Sequence, residues 1–295
     1  MSGYGGVEYI IRDTGRGPIN KSHHVYNATF VGRITEYTKI KNGKQVFSAK
    51  YTVDDSGFRI SPSANLKGKT KHFFLIDGSI AFGEGLNDNE TIHQIINKRS
   101  KIYEAYTLGL PGEGPQHNWL RFNSLHLKDQ VSQKTGSALF ITHEADIGKF
   151  TGAVGTLPFG RNFPRLIEQA PGKYYNAGTF LESGTFLQKM LLNHCIPYNF
   201  CNDWLSKLSQ PISNDEIAAG ARLINELDKK YREQFKVENS KVLWLGSEPG
   251  RRIFKLNSNL EVIRIFYNSF EGDAHPNKEG AEEIADALFR KKLVN

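Results

Sequence analysis

The chain has 295 residues, 39% of them hydrophobic and 23% charged, with a formal net charge of +7. This excludes a disordered chain and suffices for one α/β domain with an elaboration, or for two small domains. No run approaches the roughly 18 apolar residues of a membrane-crossing helix, and the opening Met-Ser-Gly-Tyr-Gly-Gly has neither the basic nor the apolar region of a signal peptide.

Residues 1–66 read as a β-rich extension. From Thr35 to Tyr51 apolar and polar residues alternate around Asn42-Gly43, a pair suited to a two-residue hairpin turn. A turn at 54–57 and a linker over 61–71, rich in Pro, Ser, Gly and Lys, lead into the second region, 67–295. There short apolar runs are separated by longer segments, the pattern of a parallel sheet with crossover helices. The expected strands are 72–77, 102–108, 137–142, 241–246 and 262–268. An insertion at about 144–236, rich in Gly, Pro and aromatic residues between Gly148 and Gly184, is too long for a simple connection and reads as a lid or substrate-binding flap. Ser213 and Glu216 form a capping box for a helix with Ile217, Ala221, Ile224, Tyr231 and Phe235 on one face. A last helix starts at Pro276-Asn277 and carries Ala281, Ile284, Ala287 and Leu288.

In open α/β sheets, ligands gather beyond the carboxyl ends of the strands. Three stretches stand at such places. The first is Asp77-Gly78-Ser79-Ile-Ala-Phe-Gly83-Glu-Gly85, after the first sheet strand. The second is Tyr106-Thr-Leu-Gly109-Leu-Pro-Gly112-Glu-Gly114, after the next. The third is Gly272-Asp273-Ala-His275-Pro276-Asn277, just before the last helix. A histidine with a carboxylate two residues away and a helix start behind it is suited to general-base work.

In this order, the three stretches resemble the conserved blocks of the SGNH, or GDSL, hydrolase family over about two hundred residues, the N-terminal sheet excluded. The resemblance implies a three-layer α/β/α sandwich with a five-stranded parallel sheet, to which the N-terminal antiparallel β extension is added. It also implies a serine ester hydrolase in which Ser79 is the nucleophile, His275 its base and Asp273 the group that orients the imidazole. The backbone N–H groups of Ser79 and Gly109 would form the oxyanion hole. Two departures stand out. The serine is preceded by Asp77-Gly78 where the family usually has Gly-Asp. The family's Gly-x-Asn-Asp block also finds only Thr142-His143-Glu144-Ala145-Asp146, with Ala145 in the asparagine's place. His143 and Asn118 are candidates for the missing donor by location.

The resemblance implies neither a metal nor an organic cofactor, and its members include deacetylases and acetyltransferases of bacterial glycans. An O-acetylated and, given the positive charge, anionic carbohydrate is the expected substrate, met in an extracytoplasmic compartment, with the cytoplasm as the alternative. Hydrolysis is preferred to acyl transfer because no second domain that could deliver an acyl group is recognised. A non-catalytic glycan-binding relative is the rival, with Phe159, Phe163, Tyr174 and Tyr175 to stack on sugars. Nucleic acid is not expected, since Lys and Arg are scattered outside any recognised binding motif. His143, Glu144 and Asp146 match no metal-ligand spacing, and Gly68-Lys69-Thr70 lacks the rest of a P-loop. Cys195 and Cys201 are read as structural, bonded or free according to the compartment.

Overall fold

A computed structural model describes residues 7–13, 34–53, 58–60, 68–76, 78–124, 127–156, 160, 162–195 and 211–294. Asp77, the turn at 54–57, the linker over 61–67, Phe159, Cys201 and the side chain of Cys195 lie outside the described residues.

The N-terminal part is a three-stranded antiparallel sheet of β1 (Val7–Asp13), β2 (Ile34–Lys41) and β3 (Lys44–Thr52), in that order. Asn42 and Gly43, at φ of 52° and 74°, supply the two left-handed positions of the β2–β3 turn. Period-two alternation sends Tyr37 and Lys39 of β2, and Phe47, Ala49 and Tyr51 of β3, to one buried face. Except for the lysine, this face packs as an aromatic cluster against Phe82 and Leu110 of the second region.

That region is built on β4 (Lys71–Ile76), β5 (Tyr103–Leu108), β6 (Thr135–Thr142), β9 (Lys236–Trp244) and β10 (Glu261–Ile263). They form one parallel sheet in the order β10-β9-β6-β4-β5. Its two faces follow directly from side-chain parity. Phe74, Ile76, Ala138, Phe140, Val242 and Trp244 point into one core. Phe73, Leu75, Leu139, Ile141 and Leu243 point into the other. The first core is covered by α3 (Pro115–Ser124), α5 (Glu144–Thr151), α8 (Asn214–Gln234) and α9 (Glu248–Asn257); α4 (Leu127–Gln130) adds Leu127. The second is covered by α1 (Ser79–Phe82), α2 (Ile92–Arg99) and α10 (Lys278–Arg290). This is the expected three-layer sandwich. The expected helix faces are also in place: Ile217, Ala221, Ile224, Tyr231 and Phe235, and Ala281, Ile284, Ala287 and Leu288, are all buried.

Three boundaries differ from the sequence reading. β9 begins at Lys236 rather than 241, because the polar stretch 236–240 pairs with β6 on one side only; β10 joins on the other side only from Lys241. β10 itself stops at Ile263. Residues 264–268 keep the alternation of a strand, with Ile265 buried and Phe266 exposed, but no ladder pairs them. Helices α5 and α8 belong to the sandwich, so the described residues left to the insertion are 152–156, 160, 162–195 and 211–213. They include the hairpin β7 (Pro164–Ala170) and β8 (Lys173–Thr179) and the short helices α6 (Phe180–Ser183) and α7 (Phe186–Met190). Phe163 is buried there with Phe180, Leu191 and Leu192, and Tyr174 packs on Phe150. Of the aromatic residues expected to meet sugars, Tyr175 alone among the described ones is exposed.

Candidate active site

The chain leaves β4 for β5 on one side and then reaches β6 on the other. The loops beyond the carboxyl ends of β4 and β6 therefore diverge and leave a crevice at this switch of direction. Ser79 opens α1 at that place. Gly78, just before it, presses on the loop after β5, where a Cβ would lie 2.5 Å from the Glu113 carbonyl oxygen. A side chain there would force the two loops apart. α1 ends after one turn at Gly83, whose φ of 80° brings the N–H groups of Gly83 and Glu84 back onto the Ser79 carbonyl, at 3.0 and 2.9 Å.

His275 reaches this serine from a tight turn 196 positions further on. The turn is closed by Asp273 N to Phe270 O at 3.0 Å and Phe270 N to His275 O at 3.1 Å. Asn277 follows as the N-cap of α10, its Oδ1 accepting from Gly280 N at 2.9 Å. The result places His275 Nε2 2.8 Å from Ser79 Oγ, while Nδ1 bonds to Asp273 Oδ1, which also accepts from the His275 backbone N–H at 2.9 Å. With Nδ1–H donated to the carboxylate, Nε2 carries the lone pair that accepts the serine proton. The structure thus brings Ser79, His275 and Asp273 into one hydrogen-bonded chain, in the order expected of a nucleophile, its base and the carboxylate that orients it.

Two further charges stand at this triad, both missed in the sequence. Glu84 is buried with Oε2 3.5 Å from His275 Nε2, and Lys39 of β2 places Nζ 2.5 Å from the outer oxygen of Asp273. Burial opposes charge on His275, but the Glu84 and Asp273 carboxylates outweigh it, and Lys39's contrary effect, and raise the imidazole above its ordinary value of 6.5. Burial also works against the Asp273 carboxylate. Its bonds to His275 and Lys39 prevail and hold it well below the usual carboxylate range. Since a base must be neutral to act, and its folded value is raised, any reaction that draws on His275 as a base should climb with pH through a midpoint above 6.5. Glu84→Gln removes one of the charges that favour the imidazolium, so the acid limb of a kcat/KM profile should move to lower pH. A limb that stays in place would show that Glu84 does not act on His275.

The oxyanion side is less fully defined. Gly109 follows directly on β5, buried at the same edge of the sheet as Ser79. The loop beyond it is fixed by a network that the sequence did not reveal. Glu113 accepts from Leu110 N at 3.0 Å and from the Arg121 guanidinium, and its own carbonyl accepts from Lys149 Nζ at 3.2 Å. The other two proposed donors stand in α3 and at the start of α5. Asn118 is buried in α3 with Oδ1 accepting from Arg121 at 3.0 Å. His143 is the N-cap of α5, its Nδ1 accepting from Ala145 N at 2.9 Å and its own N–H bonding to Asp146. Glu144 is likewise engaged, accepting from Ser247 N at 2.9 Å at the start of α9. Among the described residues, no group of three or more His, Cys, Asp or Glu side chains is placed to hold a metal ion.

No protein-family model matches the chain, and no curated protein matches its sequence. Among solved structures, it is similar to the psychrotrophic esterase EstA from Pseudoalteromonas sp., in a form inhibited by monoethylphosphonate, at 12% identity and a TM-score of 0.40 over 75% of this chain and 97% of that one. It is also similar to a protein of the G-D-S-L family from Desulfitobacterium hafniense DCB-2, at 13% identity and a TM-score of 0.35 over 77% of this chain and 100% of that one.

Proposed function

We propose that this protein is a serine ester hydrolase of the SGNH kind, and the observation that carries the reading is the Ser79–His275–Asp273 relay, closed at 2.8 Å between Oγ and Nε2. In the reaction, Ser79 Oγ attacks the ester carbonyl carbon as Nε2 takes its proton. The negative charge that forms on the carbonyl oxygen is met by the backbone N–H groups of Ser79 and Gly109. Collapse breaks the bond to the alcohol, which leaves with the proton from Nε2, and the acyl group stays on Oγ. Water then gives a proton to Nε2 and its oxygen to the acyl carbon, releasing the acid and restoring the serine. Asp273 remains ionised throughout, and no step calls for a metal or a redox group.

For substrate we propose an O-acetylated carbohydrate, with anionic glycans favoured by the net charge of +7 and an extracytoplasmic site of action in keeping with such a polymer. Treatment with a fluorophosphonate, followed by mass-spectrometric location of the label, tests the chemistry. Ser79 should be labelled, and His275→Ala should suppress the labelling. An unlabelled Ser79 from weakly acid to alkaline pH would instead favour the glycan-binding reading. Acetate released from acetylated polysaccharides identifies the substrate, whereas transfer to a glycan acceptor with little free acetate would make the protein a transferase.

A further inference from the structure

Lys39 occupies a position where a lysine is out of place. It lies on the inward face of β2, two residues from the buried Tyr37 and opposite Phe47 in the ladder, on a face otherwise made of aromatic and small side chains. Its Nζ is 5.9 Å from the Phe47 ring centroid. A buried ammonium is tolerated only with a partner of opposite charge, and the partner here is Asp273, whose side chain is 6% exposed. The two carboxylate oxygens divide the work. Oδ1 serves the backbone and ring of His275, and Oδ2 takes the Lys39 ammonium. The neighbouring contacts repeat the arrangement, with Lys41 Nζ donating to Gly272 O at 2.7 Å and Phe270 packing 5.3 Å from Phe47.

We propose that Lys39 is a positioning residue of the catalytic triad: by holding one oxygen of Asp273, the N-terminal sheet fixes the other on His275 and so completes an active site that the α/β region alone does not possess. The inference rests on the ester-hydrolase reading and adds to it a residue from outside the stretches that resemble known hydrolases. Lys39 also sets a positive charge beside the base, opposing Glu84 from the loop after α1 and Asp273 from its own turn.

The test compares the wild type with Lys39→Met, Lys39→Gln and Lys39→Arg on a short-chain p-nitrophenyl ester across pH, with the fraction of reactive serine counted by fluorophosphonate. Both charge-free variants should lose roughly 10- to 100-fold in kcat with little change in KM, because a displaced imidazole acts on the chemical step. Their acid limbs should move to higher pH, since a positive charge beside the base has gone. Lys39→Arg should keep the wild-type limb and most of the rate. Lys41→Met is the control, because it loosens the same sheet from the same loop without touching Asp273; its limb should stay where the wild type's is. Folded Lys39→Met or Lys39→Gln protein with an unchanged kcat and limb overturns the proposal, as does an equal displacement in Lys41→Met. If neither charge-free variant folds, Lys39→Arg decides, because the proposal requires it to keep the wild-type limb. A wild type that neither cleaves the ester nor takes the label on Ser79 refutes the hydrolase reading and this inference together.

Discussion

Replacing Ser79 by alanine should lower kcat on an ester by about 10⁴- to 10⁶-fold while leaving the fold intact. The magnitude follows from the geometry. Ser79 Oγ is the atom at hydrogen-bond distance from a base already held by its acid, so removing it removes the acyl-enzyme route altogether. The oxyanion donors and the shape of the crevice remain, and they account for the residual rate. Because the hydroxyl is only half-buried at the mouth of the crevice, the change should be nearly neutral for stability. His275→Ala should cost about as much as Ser79→Ala, and the double variant no more than either alone, since nucleophile and base act as one unit. Steady-state kinetics of the three variants decide this. Losses that simply add would mean that Ser79 and His275 act independently, and the relay would have to be abandoned.

The second large effect concerns stability. Arg59→Ala should destabilise the protein by about 3–5 kcal/mol, the usual result of breaking a buried ion pair by removing one partner. Arg59 has no exposed side-chain surface, and its guanidinium donates to the carbonyls of Phe82, Gly83 and Leu86, at 3.0, 2.8 and 2.6 Å, and to Asp88 at 3.1 Å. It lies over the rings of Tyr51 and Phe82 as well, at 4.6 and 5.0 Å. Removing it takes a donor from three inward-facing carbonyls, of which Gly83's also accepts from Leu86 N at 3.1 Å, and among the described contacts leaves the Asp88 side chain its bonds to Thr52. Lysine should restore little, because one ammonium cannot reproduce a planar fork with this many acceptors. Denaturant unfolding of the two variants measures the loss. A loss below about 1 kcal/mol for Arg59→Ala would place the loop's stability elsewhere, in the Tyr51 hydroxyl that accepts from Gly85 N at 2.8 Å and in the packing around it.

The parts of this structure that were readable in the sequence are those whose causes are local. Short apolar runs marked β4, β6 and the core of β9. Capping chemistry marked the starts of α8 and α10, where Ser213 with Glu216 and Asn277 with Gly280 N make the expected bonds. The Asp273–His275 pair was readable through spacing, because an acid two residues before its histidine must share a turn with it, whereas its meeting with Ser79 was expected only from the resemblance to SGNH hydrolases. What escaped depends on contacts distant in the chain. Lys39 looked like one more polar residue of a two-sided strand, although its parity with Tyr37 already placed it inward. Glu84 stands between two glycines, and no local pattern shows that its side chain turns inward to His275. The end of β10 could not be seen because alternation reports burial, and Ile265 is buried without a neighbouring strand to pair with.

The contacts around Asp273 also bear on when in folding the site can exist. The serine is set by its own turn, its base comes from 196 positions later, and the clamp on the acid lies earlier in the chain than either. Such closures bring together segments far apart in sequence, so their entropy must be met before any contact rewards them. A chain whose parallel sheet has condensed but whose N-terminal hairpin has not docked would carry a serine and a base without their alignment. Catalytic competence therefore requires the N-terminal sheet to dock on the α/β region, and the chemistry would report that docking rather than the formation of the core alone.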